Sequence, residues 1–559
     1  MRKTIVILLL IVAACKENKQ PLVESLNELN LKRGEVVSCG PPDKEFGTVG
    51  FDISCSEKVK KDFDLAIALL HSFEYDEAEK VFVKIIDEEP DCAIAYWGAA
   101  MANYHPLWAP PTRPELEKGA KLIAIARSNG EKSGREEAYI NAMATFYKDW
   151  QTVDHRKRSL AFEQAMEKVY NKFPADKEAA VFYALTITAA ADPADKTYSR
   201  QKKAVDILNK IYPGQPNHPG IVHYLIHSYD YPALAQLALA EARKYAAIAP
   251  SSAHAQHMPS HIFTRLGLWQ ECINSNKDAA ESAKCYAEST GIKGHWDEEL
   301  HALDYLVYGY LQQGDNDSAK KQLDYLHSIK EVSPVNFKVA YAFAASPARF
   351  LLENKMWKEA ATLRPYPANF AWEQYPWQKA IIHFTRLLGS AHTGRLDSAR
   401  YELKMLHTMR DTLSAQKDAY KVNQVQIQIN SGEAWILFKE GKNNEALQMM
   451  TLAADMEDKT QKHSVTPGEV IPARELLGDM LMAMDQPAKA QEAYEADLKE
   501  HAGRFNGLYG AGLAAERSKN TEKANLYYSQ LMSIAKPSRE SRPELEAVRK
   551  FQRLYAAVQ

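Results

Sequence analysis

Apolar and polar positions alternate along this chain in blocks of helical period. In LLGDMLMAMDQPAKAQEAYEADL (476–498), Leu476, Leu477, Met480 and Leu481 fall on one face of a helix. Asp485-Gln486-Pro487 breaks the pattern, and Ala490, Ala493, Tyr494 and Leu498 resume it on a second helix. YGAGLAAERSKNTEKANLYYSQL (509–531) repeats the arrangement, with Ala490 and Ala524, Leu477-Gly478 and Ala511-Gly512, and Tyr494 and Tyr528 each 34 residues apart. Glycine in the first helix and a small residue early in the second let the two backbones approach. The pattern predicts antiparallel helix pairs from about 59 to 535. Further small positions fall at Ala78, Cys272, Ala319, Ala360, Ala399 and Ala446. Residues 106–200 read as helical but poorly registered.

This grammar resembles the tetratricopeptide repeat (TPR), which implies an all-α, helix-pair solenoid with a right-handed superhelix. Each pair must bury its face against its neighbours, so the array is expected to be continuous. The divisions expected are 1–14 as a signal peptide, 15–58 as a tether and N-terminal cap, and 59–200 as N-terminal helical repeats. A histidine-rich block (201–330) and a C-terminal array (331–559) follow.

Eight of the 17 histidines lie between residues 218 and 301. With Cys272 set at repeat position 20, His254, His257 and His261 take positions 2, 5 and 9. His223, His227 and Asp230 take positions 5, 9 and 12 of the preceding repeat; His301, Asp304 and Tyr308 take 2, 5 and 9 of the next. In such arrays these positions face the concave groove, so the histidines are expected to form two rows, His223/His257 and His227/His261, across adjacent helices. Side chains four apart on a helix are neighbours. Pro259 interrupts the second helix unless a new helix starts there.

Imidazoles so concentrated suit a divalent transition metal (Zn, Cu or Fe). The first reading is a binding protein or scaffold whose groove takes a protein, peptide, glycan or small ligand, together with a metal. The second is a metal-dependent hydrolase or oxidase on the same residues, although no HExxH glutamate is present. The third is a metal-free interaction scaffold at the outer membrane. Arg349, Glu475 and Asp479 fall at further groove positions, as substrate contacts or as ion pairs between helices.

The chain has 559 residues and a formal net charge of −3, without a basic run, so nucleic acid is not an expected partner. MRKTIVILLLIVAAC begins with two cations, continues with a short apolar run and closes on small residues and Cys15. That order resembles a bacterial lipoprotein signal. It implies cleavage before Cys15, lipidation (palmitate) of that residue, and a membrane anchor, with Lys16 fitting the outer membrane, facing periplasm or cell surface. Outside the cytoplasm Cys39 and Cys55 are candidates for a disulfide; Cys92, Cys272 and Cys285 read as small core residues.

LLHSFEYDEAEKVF, PDCAIAYWGAAMA, HPGIVHYLIHSYD, HMPSHIFTRLGLW, SPARFLLE and PARELLGD occur in this order. Together they resemble a family of large bacterial TPR proteins, often lipoproteins or exported. The resemblance implies fold and address, and points again to His223, His227, His257 and His261. It implies no substrate.

Overall fold

The structure, a computed structural model, describes residues 29–39, 45–107, 110–192, 195–536 and 542–558. The signal segment 1–14 and Cys15 lie outside the described residues. Helix pairs run from Lys60–His71 with Tyr75–Glu88 to Phe505–Arg517 with Thr521–Ile534, and Pro543–Val558 closes the array. The only strands among the described residues are a two-residue parallel pairing of His295–Trp296 with Val332–Ser333. No helix among them is long and apolar enough to cross a membrane.

The small-residue register holds. Ala78, Cys272, Ala319, Ala360, Ala399, Ala446, Ala490 and Ala524 are all fully buried between helices. A Cβ on Gly478 would come within 2.6 Å of the Tyr494 ring, and one on Gly512 within 2.4 Å of Tyr528. Thus glycine and aromatic are complementary halves of one helix contact. The stretch expected to be poorly registered also forms pairs, Gly134–Tyr147 with His155–Lys172 and Lys177–Ala189 with Ser199–Ile211.

Two features depart from the expectation. The first is the groove, which is filled rather than open. Residues 459–472 pass through it without regular structure and bury Val465, Thr466, Val470 and Ile471. Their carbonyls are taken by groove side chains: Tyr305 donates to Val465 O (2.9 Å), and Arg349 Nη2 (2.7 Å) and Tyr341 Oη (3.2 Å) donate to Gly468 O. Further on, Trp269 Nε1 donates to Gly503 O (2.7 Å) and Phe505 N to Gln312 Oε1 (2.9 Å), so the superhelix closes on its own middle.

The second is the cysteine pairing. Cys39 bonds Cys285 and Cys55 bonds Cys92, so the Cys39–Cys55 pairing is corrected, as is the reading of Cys92 and Cys285 as free core thiols. Residues 45–55 run as a strap, with Thr48 N donating to Asn217 O (2.9 Å) and Ser54 N to Glu136 Oε1 (2.8 Å), and Cys39 and Cys55 bond to different helices. Cys272 remains a buried thiol.

Candidate functional site: two histidine triads beside a cavity

Three consecutive first helices build the site. Pro219–Tyr229 starts at N-cap His218, whose Nδ1 accepts from Ile221 N (3.3 Å). The next helix is split by Pro259 into Ala253–His257 and Pro259–Arg265, with Met258 between them still in helical conformation. The i,i+4 relation of His257 and His261 therefore survives the break. The third helix is Asp297–Gln312.

The histidines meet as triads, not as the two expected rows. His223, His227 and His254 form one, His257, His261 and His301 the other, with each triad's ligand nitrogens within 4.8 Å of one another. Each triad is an i,i+4 pair plus the position-2 histidine of the following helix. His223 Nε2 lies 3.0 Å from His227 Nε2 and 3.1 Å from His254 Nε2; His257 Nε2 lies 3.1 Å from His261 Nε2. All six are buried.

The outer ring nitrogens fix the tautomers. His223 Nδ1 donates to His71 O (2.6 Å) and His261 Nδ1 to Asp230 Oδ2 (3.0 Å). His257 Nδ1 donates to Asn276 Oδ1 (2.7 Å), because the Asn276 amide nitrogen is spent on Cys272 O (2.8 Å). A neutral imidazole carries one proton, so Nε2 of His257 and of His261 are both bare and face each other. Tyr305 approaches His261 Nε2 at 3.4 Å, but its proton goes to Val465 O. A proton on the pair is disfavoured: burial lowers the pKa of His257 and His261, even with Asp230 beside the latter. Burial likewise pushes His223 down to about 3. Burial opposes charge on Asp230 too, but Lys462 and Arg265 hold it well below the carboxylate range, and so already neutralise it.

Two lone pairs 3.1 Å apart repel unless a cation lies between them. Nitrogens coordinating tetrahedrally at about 2.0–2.1 Å sit about 3.3 Å apart, so the triads approach the span a metal requires. Hydrogen bonds on the far nitrogens are also what orient metal-bound histidines.

A third cluster, His71, Glu178 and His218, lacks this feature. His218 and His71 each donate from Nε2 to Glu178 (2.8 and 2.9 Å), and Tyr224 donates to His71 Nδ1 (2.9 Å). Every nitrogen has a partner, which describes a structural network. It supports the site by fixing the turn whose carbonyl holds His223.

The remaining candidates separate. Asp230 orients His261 and pairs with Arg265 Nε (2.9 Å) and Lys462 Nζ (3.3 Å). Asp304 is not at a triad; it pairs with Arg349. Tyr308 and Glu475 both bind Arg504, which also pairs with Glu353. Asp479 accepts from Tyr494 Oη (2.7 Å) and Lys355 Nζ. Arg349, Tyr308, Glu475 and Asp479 thus serve closure of the superhelix.

Sequence reading missed Phe73, Asn276, Tyr305, Lys462 and Arg265. Phe73 adopts a left-handed φ of 58° at a helix-pair turn and lays its ring 4.4 Å from that of His223. Tyr305 was findable, one turn beyond His301; Lys462, in an aperiodic segment, carried no signal. Beside the first triad lies a cavity of about 450 Å³, bordered by His227, Asp230, Arg265, Tyr420, Lys421 and Lys462. Burial lowers Lys462 to about 8.

No protein-family model and no curated protein sequence matches the chain. Solved structures similar to it include the human IFIT1 dimer with m7Gppp-AAAA (12% identity, 86% of this chain and 96% of that one, TM-score 0.36). The Cut9–Hcn1 hetero-tetramer of APC/C is another (12% identity, 88% and 90%, TM-score 0.32). At these scores the resemblance is a loose one between helical arrays, and the ligand named belongs to IFIT1.

Proposed function

We propose that this helical-repeat scaffold is a transition-metal-binding protein whose six-histidine centre serves a small organic anion in the adjoining cavity. The observation that carries the reading is the pair of bare Nε2 atoms of His257 and His261, held toward each other by Asn276 and Asp230. A purely structural network would place a proton there, as the His71–Glu178–His218 network does. The cavity supports an anionic ligand: Arg265, Lys421 and Lys462 meet two carboxylates, Asp230 and Asp418, beside apolar Leu107 and Pro110. Its volume is within the range of small-molecule sites.

A reaction at the centre, hydrolytic or oxidative, is the second reading. It is favoured by His227, which belongs to a triad and also lines the cavity, so that a bound molecule abuts the metal ligands. Lipid on Cys15 would place the protein at the outer membrane; the two disulfides support an oxidising compartment.

The test is titration of chelator-stripped protein with Zn(II), then Cu(II), by calorimetry. Near-stoichiometric binding is expected, and a marked fall in it in His257→Ala/His261→Ala, which leaves only the His223, His227 and His254 triad. Absence of binding by either metal to wild type would end the reading.

A further inference from the structure

We infer that the two triads form one binuclear centre that takes two copper(I) ions, three imidazole nitrogens to each. The inference rests on the metal-centre reading above and adds nuclearity and metal identity.

Nuclearity comes from duplication. The same construction, an i,i+4 pair plus position 2 of the next helix, occurs twice, one repeat apart, and supplies three nitrogens each time. The triads adjoin, with the ring centroids of His227 and His261 6.3 Å apart. His254 of one triad and His261 and His301 of the other line a common cavity of about 10 Å³, about the space of one water.

Identity comes from the donor set and the charge. All six donors are neutral imidazoles. Di-iron and di-manganese centres in helical proteins draw on glutamates, and magnesium and calcium require oxygen. The carboxylates near the triads are already engaged. Asp230 pairs with Arg265 and Lys462, Asp297 and Glu298 with Lys338, Asp304 with Arg349, and Glu178 with His71 and His218; Glu74 accepts from Ser252 (2.6 Å). Two divalent ions would therefore bring four positive charges into a buried site without anionic compensation. Burial cost grows with the square of the charge, so a monovalent ion costs about a quarter as much as a divalent one of equal size. Copper is the first-row metal that is monovalent under reducing conditions and accepts three imidazoles. It also heads the affinity order for nitrogen sites in its divalent state.

The full-length, disulfide-bonded protein, purified without a polyhistidine tag and stripped of metal, is titrated anaerobically with Cu(I) in competition with bicinchoninate. A parallel sample is first loaded with Zn(II). Two Cu(I) per chain are expected, each with three nitrogen neighbours by Cu K-edge absorption, and equimolar Cu(I) displaces Zn(II). His257→Asn, checked by its thermal melt, is expected to keep one Cu(I); should it fail to fold, wild-type stoichiometry and the absorption edge still decide. One copper per chain, or Zn(II) retained against Cu(I), overturns the inference and leaves the metal centre standing. Binding of neither metal overturns the metal centre itself.

Discussion

Asn276→Leu separates a metal centre from an ordinary buried polar network by the sign of two changes. Asn276 is fully buried, and its Oδ1 accepts from His257 Nδ1 at 2.7 Å. Leucine has a similar shape and cannot accept. Ordinarily, removing one partner from a buried hydrogen bond costs about 1–3 kcal/mol. Here the His257 proton is no longer held at Nδ1. It moves to Nε2 and donates to His261 Nε2, 3.1 Å away, replacing a lone-pair repulsion with a hydrogen bond. Two bonds of about 0.5–1.5 kcal/mol each are lost, from His257 Nδ1 and to Cys272 O, and one is gained. The metal-free variant should therefore stay within about 1.5 kcal/mol of wild type in urea denaturation. Its metal affinity should fall about 10–100-fold, as for loss of other groups that orient metal-bound histidines. A variant destabilised by more than about 2 kcal/mol with unchanged metal affinity would refute the tautomer assignment.

Other consequences follow from the surroundings. Arg504→Met leaves Glu353 and Glu475 buried without their cation, and should cost about 3–5 kcal/mol in urea denaturation while the metal content per folded chain stays unchanged. Burial, aided by Glu353 and opposed by Arg504, raises Glu475 to about 7. The folded chain then holds a proton that the unfolded chain releases, so this group's contribution falls as pH rises from about 4.5 to 7. Glu475→Gln should flatten that part of the stability–pH curve and be closest to wild type at low pH. Cys39→Ala/Cys285→Ala should lose about 2–5 kcal/mol and become less sensitive to reductant than wild type, measured by thermal melts with and without dithiothreitol. Cys15→Ala should move the protein from the detergent to the aqueous phase in Triton X-114 partition; equal partition of both forms would contradict lipidation.

The repeat was legible because helix packing is local. Small residues recur wherever two backbones touch, 34 residues apart for Ala490 and Ala524 and at longer intervals elsewhere, so they could be placed without any distant contact. The histidine block was legible for the same reason, since its members share repeat positions. Their grouping was not: whether His254 joins His223 or stands apart depends on the offset between adjacent helices, which the repeat positions leave undefined. The filling of the groove was illegible. Lys462, Val465 and Gly468 belong to an aperiodic stretch whose place depends on how far the superhelix turns before it meets itself. The cysteines failed similarly. Cys39 is near Cys55 in sequence, but its partner Cys285 lies 246 residues away and reaches it only through closure of the fold.

Elemental analysis of the untagged protein, beside His257→Ala/His261→Ala, asks whether His257 and His261 face each other to hold a metal. Wild type should carry near-stoichiometric transition metal, or take it up after reloading, and the double variant should hold markedly less. A wild-type protein that stays metal-free after reloading with zinc and with copper would contradict this expectation.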